Sequence, residues 1–106
     1  MLELRQVLLN AATTGSGVAS LGESCDRPSW TIYITGSSGV ASGAVTIETA
    51  PSASYSGTWQ TIESPVTVTA SATQTVSFEG AFRHVKARIS TTVAGGTVTV
   101  VAEAMS

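Results

Sequence analysis

The chain has 106 residues, of which 42% are hydrophobic and only 11% are charged. A chain of this length can form one domain with one modest core, and its hydrophobic content argues against intrinsic disorder. The net charge of -2 provides no general attraction to nucleic-acid phosphates. The opening residues do not follow the pattern of a secretory signal, so none is expected, and no apolar stretch is long enough to predict a membrane span. The sequence predicts a single domain over residues 1–106 that binds neither nucleic acid nor membrane.

The shortage of charge is the most informative feature of the composition. Charged residues make up about 25% of a typical soluble domain, against 11% here. An exterior with so few charges is often covered by partners, although Ser and Thr also keep a surface hydrated. We therefore expect the protein to contact other subunits.

The N-terminal region has two interpretations. The segment "QVLLNAA" favours an extra strand, whereas an extended arm over residues 1–15 is the alternative. The next stretch is expected to be a loop with a short strand near Val18 to Leu21. Cys25 is the only cysteine, so neither an internal disulfide nor a zinc site of cysteines can form.

From residue 30 onward, short segments alternate between apolar and polar residues, as β-strands do. The predicted strands are 30–35, 44–49, 58–63, 66–70, 75–79, 83–93 and 97–102. Turns rich in Gly, Pro and Ser separate them, and Gly95 and Gly96 predict a tight hairpin. The sequence thus predicts an all-β protein, a single antiparallel β-sandwich of about seven or eight short strands, jelly-roll-like or Ig-like.

The strand edges of this sandwich are predicted to be adhesive. Thr-rich outer faces give strong β-propensity without charge, and the edges lack the lysines that discourage pairing with neighbouring molecules. Either loops or other subunits are expected to cover these edges.

The segment "FRHVKARIS" places three cations on one strand face. With a period of two, Val85, Ala87 and Ile89 face the core, while His84, Lys86 and Arg88 form a stripe on the opposite face. The stripe has too few cations and no interleaved aromatic residues for nucleic-acid binding. It is predicted to be a solvated face or a contact with a partner.

The sequence offers no catalytic constellation. His84 is the only histidine and no serine lies in a G-x-S-x-G motif. Asp26 is the only aspartate, and Glu48 and the other glutamates near strand ends are expected to be solvated carboxylates. We expect no enzyme activity, no catalytic residues, no metal site and no cofactor.

Two aromatic residues leave one binding alternative open. Trp30 is in phase with Ile32 and Ile34 and is expected to lie in the core. Tyr55 and Trp59, within "SYSGTW", are candidates for a glycan-stacking platform, and core packing of Trp59 is the favoured alternative.

Three segments resemble small β-sandwich structural proteins of tailed bacteriophage particles. They are "LLNAATTGSG", "GAVTIETAPSASYSGTWQTI" and "EGAFRHVKARISTTVAGGTVTVVA". The resemblance implies a non-enzymatic capsid decoration, or cement, protein that binds the outer shell of the virion as a homotrimer and stabilises it. It also implies the major capsid protein or another virion protein as partner, and assembly in the host cytoplasm.

The resemblance also implies that the N-terminal segment laces neighbours together, which makes Leu2, Leu4 and Arg5 candidate partner contacts. The stripe on the predicted strand adds His84, Lys86 and Arg88 as candidates. A tail, fibre-base or head-surface subunit of the same virion is the second interpretation. A carbohydrate-binding module that uses Tyr55 and Trp59 is the alternative from another class.

Overall fold

The computed structural model describes residues 3–20, 29–52, 54–80 and 83–105, without the side chains of Glu3, Leu4 and Ser64. The described residues form eight β-strands. They are β1 (Glu3–Ala12), β2 (Ser16–Ser20), β3 (Ser29–Gly36), β4 (Ser42–Thr49), β5 (Gln60–Thr67), β6 (Thr73–Glu79), β7 (His84–Ala94) and β8 (Val98–Met105). No helix in this part of the chain is long and apolar enough to cross a membrane.

The strands form two four-stranded antiparallel sheets packed into a sandwich. Sheet A has the order β1-β8-β3-β6, and sheet B has the order β2-β7-β4-β5. Successive strands lie in different sheets, except β4 and β5, which are neighbours in sheet B. This arrangement of eight strands is that of a jelly roll. The all-β sandwich prediction is confirmed, and the topology is the jelly-roll alternative.

The core lies between the two sheets. Trp30, Ile32 and Ile34 project into it from β3 and are almost fully buried, as predicted for Trp30. The Trp30 ring stacks against Phe78 of the neighbouring strand β6, with 6.3 Å between ring centroids. Each fully buried large apolar side chain of this kind contributes about 1.5 to 3 kcal/mol.

The N-terminal segment is a strand rather than an arm over its described part. Strand β1 pairs with β8 from Glu3 to Ala12, and Leu8 and Leu9 are buried. The short strand predicted near Val18 is β2, which begins earlier than expected, at Ser16, while its predicted end, Leu21, lies outside the described residues. Met1, Leu2 and Cys25 lie outside the described residues.

Two predictions about β5 and the last turn are wrong. The predicted strands 58–63 and 66–70 are replaced by one strand, Gln60–Thr67, which contains Pro65 and has two register irregularities against β4. Proline is tolerated there because β5 is an edge strand. The turn at Gly95 and Gly96 is not a hairpin within a sheet, since it connects β7 of sheet B to β8 of sheet A.

Candidate interaction surfaces

Strand β4 carries two buried polar side chains on the outer face of sheet B. Val45 and Ile47 take the inner face of β4, so Thr46 and Glu48 point outward, yet they are only 3% and 6% exposed. The prediction that Glu48 is a solvated carboxylate is therefore wrong. A buried carboxylate needs partners, because an isolated charge away from water is costly.

Two cations from the adjacent strand β7 supply those partners. Arg88 makes a forked contact with Glu48, with Nε 3.2 Å from Oε1 and Nη2 3.2 Å from Oε2. Lys86 Nζ lies 3.5 Å from the same Oε1. Lys86 is the register partner of Glu48 and Arg88 is that of Thr46, so strand pairing alone brings the three side chains together. We refer to Glu48, Lys86 and Arg88 as the ion cluster.

An aromatic ring lies beside the ion cluster. Lys86 Nζ is 4.4 Å from the centroid of the Trp59 ring, a cation–π contact. The indole Nε1 of Trp59 donates a hydrogen bond to the Tyr55 carbonyl oxygen at 3.0 Å. Trp59 is thus buried on the outer side of sheet B and is not part of the hydrophobic core.

These contacts bear on the glycan-stacking candidates. Tyr55 is 42% exposed, but Trp59 is only 9% exposed, and Lys86 lies over its ring. The pair therefore does not offer two exposed rings, and only Tyr55 is accessible to a ligand. The favoured alternative, core packing of Trp59, is also inaccurate, because the ring packs outside the sandwich.

The predicted cationic stripe is less exposed than expected. The Lys86 side chain is 16% exposed and that of Arg88 is 44% exposed. His84 is half-buried, and its Nδ1 is hydrogen-bonded to Ser20 Oγ at 2.8 Å. The prediction of a solvated face is wrong for Lys86, because Glu48 and Trp59 enclose its ammonium group.

Of the remaining interface candidates, the described side chain is that of Arg5, which lies on the outer face of sheet A. Arg5 pairs with Glu103 at 3.6 Å, and both point away from the core on sheet A. Of the two leucines, Leu2 lies outside the described residues, and the side chain of Leu4 is not described. Arg5 and the ion cluster are thus on different outer faces, so a flat partner surface would contact one or the other.

Sheet A also carries an apolar row that sequence analysis missed. Val7, Val101 and Tyr33 occupy the same level on β1, β8 and β3, and Val7 is 52% exposed. The row is visible only when the register of the three strands is known. The burial and pairing of Glu48 could not be predicted for the same reason, since the cations that pair with it lie about forty positions away in the chain.

Within the described part of the chain, there is no pocket and no group of three or more His, Cys, Asp or Glu side chains placed to hold a metal ion. Every buried side-chain nitrogen or oxygen there has a hydrogen-bond partner. The described surface consists of the outer faces of the two sheets, loops and strand edges.

Comparison with known proteins gives a match of fold. No family model matches the chain, and no curated protein matches it. A solved structure from the work described as "Bacillus endospore appendages form a novel family of disulfide-linked pili" is similar, with a TM-score of 0.53 and 12% identity. The match covers 99% of this chain and 87% of that chain. At this identity, the similarity concerns the sandwich fold alone.

Proposed function

We propose that the protein is a non-enzymatic structural subunit whose exterior is covered by other protein subunits in an assembled particle. The observation that carries the proposal is that the chain has few charges and that five of the described charged side chains pair with one another within the molecule. Glu48 pairs with both Lys86 and Arg88, which leaves the ion cluster with a net charge of +1, and Glu103 pairs with Arg5. The sheet faces therefore present mainly Ser, Thr and small apolar side chains.

A surface of this kind suits tight association between subunits. Burying an unpaired charge costs free energy, whereas a surface of Thr, Ser and small apolar groups can be covered at little electrostatic cost. A monomer that stays soluble by itself usually carries more charge of both signs. Self-association, contact with a second structural protein, or both would use this surface.

We propose more specifically a capsid decoration protein on the outer shell of a tailed-bacteriophage virion. The support is the resemblance of three sequence segments to such proteins, together with a jelly-roll fold, which recurs in viral capsid proteins. Several weak contacts per subunit would add up through multivalency and oppose rupture of the shell. The homotrimer implied by the resemblance belongs to this specific proposal.

A second candidate is a subunit of a fibre or tail. The pilus protein with a similar fold favours it, because its description names a polymer of subunits. Both candidates require association between copies or with other structural proteins. They differ in how many copies one particle contains and in where those copies lie.

The first experiment measures association of the purified protein by sedimentation velocity and native mass spectrometry at micromolar concentrations. The proposal predicts an oligomer, and a monomer throughout would contradict self-association. The second experiment counts copies of the protein in purified particles by quantitative mass spectrometry. Hundreds of copies per particle would support a shell decoration, whereas a few or a dozen copies would favour a tail or fibre.

A further inference from the structure

The four edge strands of the sandwich are protected to different degrees. Strand β5 contains Pro65 and two register irregularities, which disfavour pairing with another strand. Strands β1 and β2 contact each other at one side of the sandwich, where Gln6 Nε2 donates a hydrogen bond to the Val18 carbonyl oxygen at 3.0 Å. Strand β1 is also bulged against β8. These three edges are poor templates for an additional strand.

Strand β6 is different. It runs for 7 residues, from Thr73 to Glu79, and pairs with β3 in an uninterrupted register. Its sequence, TQTVSFE, contains no proline, no glycine and no cation. Long regular edges without such features are the ones that accept strands from other molecules.

Among the described residues, no strand pairs with the side of β6 that faces away from β3, so its backbone has an open side there. The Gly36 amide donates a hydrogen bond to the Ala72 carbonyl oxygen at 3.0 Å, so this carbonyl points toward β3. Because backbone groups alternate in direction along an antiparallel strand, the N–H and C=O groups of Thr73, Thr75, Ser77 and Glu79 point to the open edge. The side chains of these same four residues are exposed.

We propose that β6 pairs antiparallel with β6 of a second copy, about a two-fold axis at Val76. This inference rests on the proposed self-association and names the element that carries it. The open-edge groups of Thr75 then exchange hydrogen bonds with those of Ser77 of the partner subunit, and Thr73 does so with Glu79 of the partner subunit. The two A sheets join into one eight-stranded sheet, which is the β-augmentation mode of recognition.

The sequence of β6 is complementary to itself in this register. Val76 meets the partner's Val76 as a pair without direct hydrogen bonds, in which side chains approach most closely. Phe78 lies opposite Gln74 of the partner subunit. The only charged residue of β6, Glu79, faces threonine and not a second carboxylate, so pairing places no like charges opposite each other.

Burial provides a second reason for pairing at this edge. Val76 and Phe78 pack against the core but are only half-buried, whereas their β3 neighbours Ile32 and Trp30 are fully buried. A strand added at the β6 edge would cover the exposed portions of both side chains. The interface joins copies in pairs, so it produces a dimer, or it links two trimers across a two-fold axis.

Like charges introduced at the exposed positions 75 and 77 test the proposal. Thr75→Lys/Ser77→Lys places lysines opposite lysines across the two-fold axis, and Thr75→Glu/Ser77→Glu places carboxylates opposite carboxylates. We expect each variant to form an assembly of half the wild-type mass in sedimentation velocity. Mixing the two variants in equal amounts should restore the full mass, because the introduced lysines of one copy would then face the introduced carboxylates of the other. A mixture that remains at half mass would overturn the register.

The matched control adds the same charge elsewhere. Thr91→Lys/Thr92→Lys places two lysines at exposed positions of β7 in sheet B and should leave the assembly intact. If the wild-type protein is a monomer, the proposed self-association fails and this inference fails with it, whereas contact with a second structural protein is decided by the count of copies in purified particles. If the wild type associates and neither charged β6 variant changes its mass, the β6 interface alone is overturned.

Cross-linking gives an independent readout. Opposed residues of a pair without direct hydrogen bonds have Cα atoms about 4.5 Å apart, within the range of about 4.4 to 6.8 Å that a disulfide spans. Val76→Cys in a Cys25→Ser background should therefore form a covalent dimer under mild oxidation. Ser16→Cys in the same background should not, and equal cross-linking at both positions would contradict pairing through β6.

Discussion

The ammonium group of Lys86 lies 4.4 Å from the centroid of the Trp59 ring and completes a cluster that begins with a buried carboxylate. Because Glu48 is only 6% exposed, its charge is compensated mainly by Lys86 and Arg88. The contact between Lys86 and Trp59 holds Trp59, which directly precedes β5, against the outer face of sheet B. The cations of β7 are therefore part of the folded structure as well as of its surface.

Reversing both cations of the ion cluster should destabilise the protein strongly. Lys86→Glu/Arg88→Glu would place three carboxylates together at a largely buried position, where even removing one partner of an ion pair costs about 3 to 5 kcal/mol. We expect a loss of at least about 3 kcal/mol in the free energy of unfolding, measured by urea denaturation.

Arg5→Glu is the matched control for this reversal. The Arg5 side chain is 70% exposed, and exposed ion pairs contribute about 0 to 1 kcal/mol. The free energy of unfolding of the Arg5→Glu variant should stay within about 1 kcal/mol of the wild-type value. Equal stability of the double reversal and this control would show that the ion cluster is solvated.

Truncation of Trp59 should act on stability. Trp59→Ala removes a buried ring and the cover over Lys86, and Trp→Ala changes at buried sites cost about 3 to 5 kcal/mol. Tyr55→Ala, at an exposed position of the same loop, should cost less than about 1 kcal/mol. Thermal melts of the two variants measure the difference, and similar melting temperatures would contradict the buried role of Trp59.

The alternation of residues predicted the inner face of the sandwich well. Ile32, Ile34, Val85 and Ala87 were predicted to face the core and are buried. This prediction works because the side-chain period of a strand is local, so a few consecutive residues are enough to define a face.

The outer faces were predicted less well, because their environment depends on pairing between distant segments. Glu48 is buried through cations of β7 and lies near an aromatic residue that precedes β5, and no local pattern reports such contacts. Pro65 favoured a division into two strands, since proline interrupts a ladder, but an edge strand accommodates it. The change of sheet at Gly95 is likewise a property of topology.

Deleting residues 1–10 should prevent folding. The deletion removes most of β1, including the buried side chains of Leu8 and Leu9, and exposes the edge of β8. Loss of one buried leucine side chain typically costs about 2 to 5 kcal/mol, so the loss of both approaches the total stability of a small domain. Circular dichroism and proton NMR dispersion provide the measurement. A truncated chain that keeps a dispersed spectrum and a cooperative melt would show that this segment is dispensable.

Ala11 gives the last prediction, because it has a backbone conformation that alanine disfavours. Its φ angle is +49°, within the left-handed region, where the β-carbon costs an L-residue about 1 to 2 kcal/mol. The conformation occurs where the register of β1 against β8 shifts, and the Ala11 amide donates a hydrogen bond to Thr99 Oγ1 at 3.1 Å. Ala11→Gly keeps that amide and removes the β-carbon. Removing the β-carbon relieves the strain, but glycine loses more conformational entropy on folding than alanine does. The difference between these two effects predicts a gain of about 0.5 kcal/mol in the free energy of unfolding.

The control for this prediction is Ala94→Gly, at an exposed strand position without a positive φ. This variant should instead lose about 0.5 to 1 kcal/mol in the free energy of unfolding. Urea denaturation of both variants beside the wild type measures the two changes. If both glycine variants lost stability equally, the bulge at Ala11 would not hold the left-handed conformation.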